Sequence, residues 1–540
     1  MHVDKSSSRS VGLHVNELGN AFSSRRVWPS VAVLIVFGLI AICLFLALGQ
    51  RRDRRVSNPT TIQVKAGEDL NAVIGKARYG DVIVLEAGAT FRGPLILPFK
   101  EDPGTGQYIT ITTSNLSGIP VENQRVNPEI HARAMPKIIA PNNSVAIGTA
   151  ERAHHYKFVG IEFSPAATSQ YVYNLIDLGK SDYKSPSQFP HHLIFDRCYI
   201  RSTGLNKARR GFALNSGDTS IVNSYISGFA GAEDETQGIG GWNGPGPFHI
   251  INNYIEGGAQ NIMFGGADPV VPNLVPSDIE IRRNFLYKPA EWFGKATIKA
   301  AIELKNARRV EIDGNVLENG GSVTAFVLTV RNQNGGAPWS ILEQISITNN
   351  IVRHANAGFN ILGRDTEHPS QQANHFRIAN NLIVDVGSDY SAVFIAGCCG
   401  DSMTIENNTV QQTGNIMTCY GPPTTNFVFR NNILQYNSYG LYCPPNALSP
   451  ESLGNIIADN SGTISANGYP PTIPRGNPVV NSYQQVGFVD MAHGDWRLGP
   501  QSKAKRRGTN GSDPGVDFQT LAAAVSRSDV EPPYFGKRLK

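Results

Sequence analysis

The chain has 540 residues, enough for a large buried core, and its 54 glycines and 33 prolines stand between strand-like runs, so they indicate turns rather than disorder. Its formal net charge is +4, but the basic excess lies at the two ends, and residues 56–500 hold 32 Lys and Arg against 37 Asp and Glu. This balance disfavours a nucleic-acid partner, which normally requires a basic face, and it favours a neutral or weakly charged one.

The N-terminal region predicts a membrane anchor. Residues 1–27 form a short polar tail, and residues 28–50 contain nineteen consecutive uncharged residues, Val31 to Gly49, enough to cross a bilayer. A signal peptide cleaved near Gly49 is the alternative, but the polar tail is long for that purpose. A basic linker, residues 51–60, follows, and arginines on both flanks leave the orientation open.

The body opens with a helix and a strand. Residues Leu70 to Ala77 predict one amphipathic helix, and Asp81 to Leu85 predict a strand. A helix at this place covers the open end of a stack of strands. The segment "GDVIVLEAGATFRG" resembles the N-terminal entry of right-handed parallel β-helix proteins of the pectin-lyase-like superfamily. The resemblance implies an all-β solenoid over residues 61–500.

Repeats of about thirty residues fill this body. Each repeat has short alternating strands and a polar residue, most often Asn, before a paired apolar step, and successive repeats are 23 to 35 residues apart. Strands this short cannot bury an apolar face alone, so repeats must stack, and about a dozen coils are predicted. The repeated positions are Cys198, Ser224, Asn253, Asn284, Asn315, Asn350, Asn381, Asn408, Asn432 and Asn455.

The recurring asparagine has a structural explanation. At a sharp bend Asn tolerates left-handed backbone geometry, and stacked amides can bond from coil to coil as a ladder. No member of this column is therefore assigned to catalysis. The cysteines are interpreted as small buried side chains, with pairing between coils as the alternative for Cys398, Cys399, Cys419 and Cys443. Neither the cysteines nor the histidines have the spacing of a metal site.

A second strand in each repeat predicts an exterior groove. If Ile302 and Leu304 point into the core, Glu303 and Lys305 point outward, because side chains alternate along a strand. Tryptophans in adjoining turns, Trp242, Trp292 and Trp339, are placed to stack on sugar rings. The groove and turn residues predicted to form the site are Lys305, Arg331, Glu303, Asn360, Arg364, Asp365, Trp242, Asp268, Asp234 and Glu235.

Two reactions suit such a groove. A polysaccharide lyase needs a base beside a uronate carboxylate and a cation to hold that carboxylate; Lys305 and Arg331 fit, with Lys288, Lys295 or Lys299 as substitutes for the base. Calcium is a possible cofactor if Asp234, Glu235 and Asp268 converge. A glycoside hydrolase needs two carboxylates about 5–10 Å apart, such as Glu303 with Asp268 or Asp365. External charges on a solenoid are also often merely solvated.

Family resemblance narrows the fold more than the activity. Polygalacturonase-type motifs (Asn-Thr-Asp, Asp-Asp, Gly-His-Gly) are absent, and the pectate-lyase calcium set cannot be placed residue by residue. The stretch from Ala301 to Asp365 resembles uncharacterised bacterial right-handed β-helix repeat proteins. The segment around Asp490, Asp495 and Trp496 resembles the closing part of exported bacterial β-helix proteins, which makes residues 501–540 a cap and loose tail.

These observations predict a right-handed parallel β-helix that follows one N-terminal transmembrane helix and binds a polysaccharide. The body is expected outside the cytoplasm, held to the membrane through residues 28–50. A polysaccharide lyase is the first choice and a glycoside hydrolase the second. The remaining alternatives are a non-catalytic glycan-binding or adhesion module and a structural spacer.

Overall fold

Three long parallel sheets form the body in a computed structural model, which describes residues 58–101, 104–321, 324–387 and 392–526. Sheet A has thirteen strands: Thr61–Val64, Val82–Leu85, Ile109–Thr113, His154–Val159, His191–Asp196, Gly217–Val222, Gly246–Ile251, Ser277–Arg282, Ala307–Asp313, Leu342–Thr348, Asn374–Ala379, Asp401–Glu406 and Thr425–Arg430. Sheet B has fourteen: Thr90–Arg92, Lys137–Ala140, Glu162–Pro165, Tyr199–Arg201, Tyr225–Phe229, Tyr254–Gly257, Phe285–Tyr287, Val316–Gly321, Ile351–Ala355, Leu382–Val386, Thr409–Gln412, Ile433–Gln435, Ile456–Ala458 and Val479–Val480. Sheet C has twelve: Leu95–Leu97, Ile147–Thr149, Val172–Leu178, Ala208–Leu214, Gln237–Gly241, Gln260–Phe264, Ala300–Leu304, Thr324–Thr329, Phe359–Leu362, Ala392–Ala396, Asn415–Cys419 and Leu441–Tyr442.

The core lies inside the coil, between the three sheets. Each strand pairs in parallel with the strand of the same sheet one repeat later, so equivalent residues stack in columns. The Phe326 and Phe359 rings stack with centroids 4.7 Å apart, and Phe359 and Phe394 follow at 5.3 Å. Stacking like side chains buries an apolar column that no single repeat could bury, which confirms the predicted parallel β-helix.

The asparagine ladder is confirmed. From Asn284 to Asn477, each side-chain oxygen accepts the backbone N–H and the side-chain amide of the preceding asparagine, at 2.8 to 3.1 Å. The Asn253 oxygen accepts the backbone N–H of Ser224. Ser224 begins it, since its hydroxyl accepts the backbone N–H of Cys198.

The backbone geometry at the ladder differs from the prediction. The left-handed residue is the one before each ladder position, for example Asn349 with φ 55° before Asn350. The asparagine at the ladder position is thus selected for its amide, and the preceding residue makes the bend.

The two ends of the column are covered differently. The helix Leu70–Lys76 is confirmed at the N-terminal end, where the Asp69 side chain accepts the N–H of Ala72. Near the C-terminus an antiparallel hairpin pairs Phe488–Asp490 with Asp495–Leu498. The helix Phe518–Val525 is not part of a loose tail, because its Leu521 and Val525 are buried.

The C-terminal segment covers sheet B. Its buried residues Trp496, Leu521 and Val525 belong to the same apolar cluster as Val316 and Ile351, which face outward from that sheet. The segment therefore shields a side of the column, rather than only sealing its last coil as predicted. Other short helices are Pro128–His131 and Thr463–Asn467, and the 3-10 turns are Leu116–Gly118, Ala132–Ala134, Pro186–Gln188, Ala290–Trp292, Tyr483–Val486, Met491–His493 and Thr509–Gly511.

The predicted anchor, residues 28–50, lies outside the described residues. Among the helices that are described, none combines the length and the apolar character needed to span a bilayer.

Four of the cysteines form two disulfides, so their interpretation as small buried side chains is wrong. Cys419 and Cys443 bond across adjacent strands of sheet C, and Cys398 bonds to its neighbour Cys399. Cys198 remains a buried free thiol, as predicted. Pairing between coils is possible because equivalent positions of successive repeats lie side by side.

The fold also assembles four histidines that the sequence gave no reason to connect. His154 stacks on His191 with ring centroids 4.9 Å apart, and His155 stacks on His192 at 4.4 Å. Asp218 on the next strand lies 3.1 Å from His192, and the Tyr79 hydroxyl contacts His154. Burial lowers the pKa of His191 to about 4, helped by the charges His192, His154 and His155 would carry and opposed by Asp218.

This cluster predicts acid sensitivity. In the unfolded chain His191 takes up a proton below about pH 6.5, whereas in the folded chain it does so only near pH 4. The contribution of neutral His191 to the free energy of unfolding is therefore complete above pH 6.5 and is lost as the pH falls towards 4. We expect His191→Gln to reduce the difference in free energy of unfolding between pH 7.5 and pH 5 by about 1–2 kcal/mol, discounted because the ring is partly exposed. Denaturant titrations at both pH values measure this difference, and His493→Gln, at an exposed histidine, is the control. If His191→Gln shows the same pH dependence of stability as the wild type, the prediction is contradicted.

Candidate functional site

The outward residues of sheet C form one continuous column, which we call the groove column. The strand register places each member beside the equivalent residue of the next repeat. In order, the groove column is Ile96, Gly148, Asp177, Ala213, Gly240, Met263, Glu303, Val327, Asn360, Ile395, Thr418 and Tyr442.

A cavity of about 780 Å³ opens over the early part of this column. It forms there because Ala213 and Gly240, successive members between Asp177 and Met263, have almost no side chain. The Arg210 side chain lies along this bare floor, with its Cδ and Nε 3.5 Å from where a Cβ at Gly240 would be. The turns after the strands supply one wall, including Lys180, Trp242, Gly266 and Lys305.

The opposite wall carries a linked polar group. The Asn174 amide donates to Asp177 at 3.2 Å, and its oxygen accepts from Arg210 at 3.3 Å. The Arg210 guanidinium stacks between the rings of Tyr173 and Trp242, 5.2 and 5.0 Å from their centroids. Burial raises the pKa of Asp177 to about 6, against the hydrogen bond from Asn174 and the charges of Arg210 and Lys180. A carboxyl with this pKa exchanges protons near neutral pH, as acid–base groups in active sites do.

A second polar group lies at the other end of the cavity. The Gln260 amide nitrogen donates to Glu303 at 2.5 Å and to Glu235 at 3.2 Å, while Lys305 lies 3.6 Å from Glu303. Lys299 pairs with Glu235 at 2.6 Å. Burial alone would raise the pKa of Glu235, but the bonds from Lys299 and Gln260 overcome it and the pKa falls.

The cavity lining has one more basic than acidic side chain, although the body as a whole has more acidic ones. Lys180, Arg209, Arg210 and Lys305 line the cavity, against three acidic residues, Asp177, Asp182 and Glu235. A neutral or weakly charged partner was predicted from the net charge of the whole body. That net charge includes surfaces that a ligand in the cavity does not contact. The local charge favours an anionic partner instead.

Four of the predicted site residues meet at this cavity. Lys305, Glu235 and Trp242 line it, and Glu303 adjoins Lys305 on the groove column. The predicted outward direction of Glu303 is correct, yet the side chain is buried because the flanking residues cover it. Trp292 is buried and offers no platform for a sugar, and the ring nitrogen of the half-buried Trp339 donates to the Leu274 carbonyl.

Four further predicted residues lie beyond the cavity. Arg331 lies after the strand Thr324–Thr329, one repeat beyond Lys305, and its backbone N–H donates to the Lys305 carbonyl. Its guanidinium pairs with Asp365 at 2.9 Å, and Asp365 also accepts the N–H of Asn332. Asn360 belongs to the groove column, whereas Arg364 is exposed and bonds Gln372. Burial would raise the pKa of Asp365, but the N–H groups of Glu367 and Asn332 and the Arg331 charge lower it, so it is no catalytic acid.

The predicted calcium set does not assemble. Asp234 accepts from the Tyr171 hydroxyl, Glu235 pairs with Lys299, and Asp268 accepts the N–H groups of Asn334 and Gly336. Within the residues that the structure describes, no cluster of three His, Cys, Asp or Glu side chains fits a metal ion. Asp268 therefore stabilises a loop, and its pairing with Glu303 as hydrolase carboxylates stays a prediction.

Lys288, a predicted substitute base, is also excluded. Its ammonium group is fully buried and donates to the carbonyls of Gly257 and Gly258 at 2.6 and 2.7 Å. Burial lowers its pKa, but no solvent or ligand can reach it. This lysine stabilises a turn.

Sequence analysis missed the Asn174, Asp177 and Arg210 group. Its residues lie in "YVYNLIDLG" and "ARRGFALN", one repeat apart. The strand Val172–Leu178 precedes Cys198, the first of the repeated positions, so the repeat pattern did not register it. The outward polar residues of these strands were the available signal.

Asp177 makes binding of an anion pH-dependent. As the pH falls through about 6, Asp177 takes up a proton and the cavity loses a negative charge. We expect the affinity for an anionic oligosaccharide to rise about threefold to tenfold between pH 7.5 and pH 5. The variant Asp177→Asn should bind with a weaker pH dependence, and titration calorimetry at both pH values measures this. If Asp177→Asn binds with the same pH dependence as the wild type, another titrating group causes that dependence.

Comparison with known proteins supports the fold. No protein-family model and no curated protein sequence matches the chain. Among solved structures, the PL6 family alginate lyase AlyGC is similar, with a TM-score of 0.53, 14% identity, and coverage of 87% of this chain and 58% of the other. An Arg-to-Ala mutant of that enzyme gives a TM-score of 0.52, 13% identity, and coverage of 89% and 59%. This chain thus spans under two thirds of the lyase.

At this identity the similarity concerns the fold and not the activity. The likeness to an uncharacterised bacterial subgroup stays a prediction. Three parallel sheets wound in register, together with the match to AlyGC, identify the chain as a right-handed parallel β-helix.

Proposed function

We propose that the body binds an anionic polysaccharide in the cavity of sheet C and cleaves it by β-elimination. The observation that carries the proposal is the set of four basic side chains, Lys180, Arg209, Arg210 and Lys305, around a floor without side chains beside Trp242. Basic groups hold uronate carboxylates, and an aromatic ring offers the apolar face of a sugar a surface to stack on. That PL6 alginate lyase has the same fold is consistent with this proposal.

The elimination assigns roles to the predicted catalytic residues. Lys305, as the amine, removes the proton next to the uronate carboxylate. The electrons form a carbon–carbon double bond, the bond to the leaving sugar oxygen breaks, and that oxygen takes up a proton from solvent. Glu303, at 3.6 Å, stabilises the ammonium that Lys305 becomes. Arg331, one repeat beyond Lys305, exchanges Asp365 for the substrate carboxylate, where negative charge develops in the transition state.

A glycoside hydrolase is the second candidate, and one observation favours it. Glu235 and Glu303 both accept a hydrogen bond from the Gln260 amide nitrogen, at 3.2 and 2.5 Å. The distance between their nearest oxygens therefore cannot exceed the sum of these two distances. Retaining glycosidases hold their two carboxyls about 5–5.5 Å apart. The lowered pKa of Glu235 nevertheless leaves it ionised, whereas a general acid must stay protonated.

The location we propose is outside the cytoplasm, with residues 28–50 as the membrane anchor. The Cys419–Cys443 bond between coils supports an oxidising compartment, since such bonds are rare in the reducing cytoplasm. Protease treatment of intact cells tests this: digestion of the body without lysis supports the proposal, and protection until lysis contradicts it.

A substrate panel tests the activity. The full-length chain is incubated with polymannuronate, polyguluronate, polygalacturonate and a neutral glucan. We expect ultraviolet absorbance from an unsaturated product with one of the uronates and none with the glucan. New reducing ends without that absorbance would indicate the hydrolase. Binding without either product would indicate a non-catalytic glycan-binding module, and no binding would favour the structural spacer.

A variant on the cavity floor ties the activity to this site. Gly240→Leu places a side chain where Arg210 now lies and should abolish binding without removing a charge. Gly75→Leu, on the helix Leu70–Lys76 where a Cβ would meet nothing within 4 Å, is the matched control and should retain binding. Equal binding by both variants would place the ligand elsewhere.

A further inference from the structure

The groove column continues past the cavity and ends in exposed aromatic side chains. After Glu303 its members are Val327, Asn360, Ile395, Thr418 and Tyr442. Five strand steps of about 4.8 Å place Tyr442 about 24 Å from Glu303. The side chain of Tyr442 is 68% exposed, unlike the stacked phenylalanines on the inner side of the same sheet. The side-chain oxygen of Asn360 has no hydrogen-bond partner in the described part of the chain.

Tyr420 borders this stretch at the turn after the strand Asn415–Cys419. Its ring lies against Gly397 of the preceding coil, where a Cβ would be 2.7 Å from the ring Cζ. The ring therefore points back along the groove column, towards the cavity, and it is 45% exposed. Burial raises the pKa of Tyr420, and the charge of Arg331 opposes that rise, which places the hydroxyl in the field of that guanidinium.

A disulfide fixes the two tyrosines relative to each other. Cys419 precedes Tyr420, and its partner Cys443 follows Tyr442. The bond joins adjacent strands, so both aromatic residues are carried by one cross-linked pair. Fixing them in advance lowers the entropic cost of binding a ligand across both rings.

We propose that Tyr420, Tyr442 and Asn360 form a second sugar-binding subsite, which holds the part of the anionic polysaccharide that extends beyond the cavity. This inference rests on the proposed function. The polysaccharide is the occupant because the groove column runs without interruption from the cavity to Tyr442, and an extended chain bound at Lys305 would follow it. The two rings contribute stacking surfaces, and the Asn360 side-chain amide offers a hydrogen-bonding group to a sugar hydroxyl.

Chain length is the variable that tests the subsite. Binding of tetrasaccharide and dodecasaccharide fractions of polymannuronate, polyguluronate and polygalacturonate to the full-length chain is measured by calorimetry. We expect the wild type to bind the longer fraction of its preferred uronate more tightly. Tyr420→Ala combined with Tyr442→Ala should raise the Kd for the dodecasaccharide about tenfold and leave that for the tetrasaccharide unchanged. Leu116→Ala, an exposed residue on the turn after the sheet A strand Ile109–Thr113, is the control.

The outcomes separate the two proposals. Equal binding of both lengths by the wild type, or an unchanged dodecasaccharide Kd in the tyrosine variant, overturns the subsite and leaves the cavity proposal standing. A loss of tetrasaccharide binding in the variant also overturns the subsite, because the tyrosines would then act on the cavity itself. If the wild type binds no uronate of any length, both proposals fail.

Discussion

Replacing Lys305 by Met is expected to lower kcat/KM on the preferred uronate by about 100-fold or more, because a positioned base contributes about 10²–10⁴ to the rate. Lys305 is the basic residue of the cavity whose ammonium group lies beside a buried carboxylate, Glu303 at 3.6 Å. The loss should fall mainly on kcat, since Arg209 and Arg210 still hold the substrate. Steady-state rates of formation of the unsaturated product measure it.

The matched control is Lys295→Met. Lys295 is exposed in the turn before the strand Ala300–Leu304, so this variant removes the same charge without touching the cavity. We expect its kcat/KM to stay within about twofold of the wild type. A fall of less than threefold in Lys305→Met would exclude Lys305 as the base. The Asp177 carboxyl, with its pKa of about 6, would then be the next candidate.

Replacing Asn350 by Ala is expected to lower the free energy of unfolding by about 3–5 kcal/mol, the largest stability effect we predict for a single residue. The Asn350 oxygen accepts the backbone N–H and the amide of Asn315 at 2.9 and 3.0 Å. Its own amide donates to the Ile312 carbonyl and to Asn381. Alanine leaves these buried groups without partners, and each unsatisfied group costs about 1–3 kcal/mol. Denaturant titration of the two proteins measures the difference.

Serine occupies the position equivalent to Asn350 in an earlier repeat, at Ser224. At the equivalent position Ser224 accepts the Cys198 N–H at 3.0 Å and donates to the Val222 carbonyl at 2.8 Å. Asn350→Ser should therefore cost less than Asn350→Ala, and the exposed Asn334→Ala should change stability by less than about 0.5 kcal/mol. If Ser and Ala at position 350 destabilise equally, the loss comes from the cavity they leave rather than from the hydrogen bonds.

Much of the fold could be predicted because its determinants are local and periodic. The spacing of the ladder positions from Cys198 to Asn455 set the number of coils, and the alternation around Glu303 set which side chains face outward. The structure extends the ladder to Asn477 and moves the left-handed residue one position earlier. The path of the segment after Val480 was not predictable, because nothing near Leu521 indicates that it packs beside Val316.

The site was predicted in part. Lys305, Glu303, Glu235 and Trp242 meet as expected, but the polar group around Asp177 belongs to a repeat that the marker residue did not register. The predicted carboxylate set of Asp234, Glu235 and Asp268 does not assemble, because each side chain is paired with a different partner on another coil. Long turns hold residues close in sequence, yet nothing in the sequence fixes the direction of their side chains.

By itself, the sequence determined the coiled column, its asparagine ladder and the outward direction of the groove residues, since each follows from a periodic pattern that a stacked strand must obey. Only the tertiary structure decided where the cavity lies. Two small residues, Ala213 and Gly240, leave a floor without side chains, and they matter only because parallel pairing places them next to each other between Asp177 and Met263. Four basic groups from three repeats surround that floor, and their proximity depends on register between coils, which no single repeat encodes.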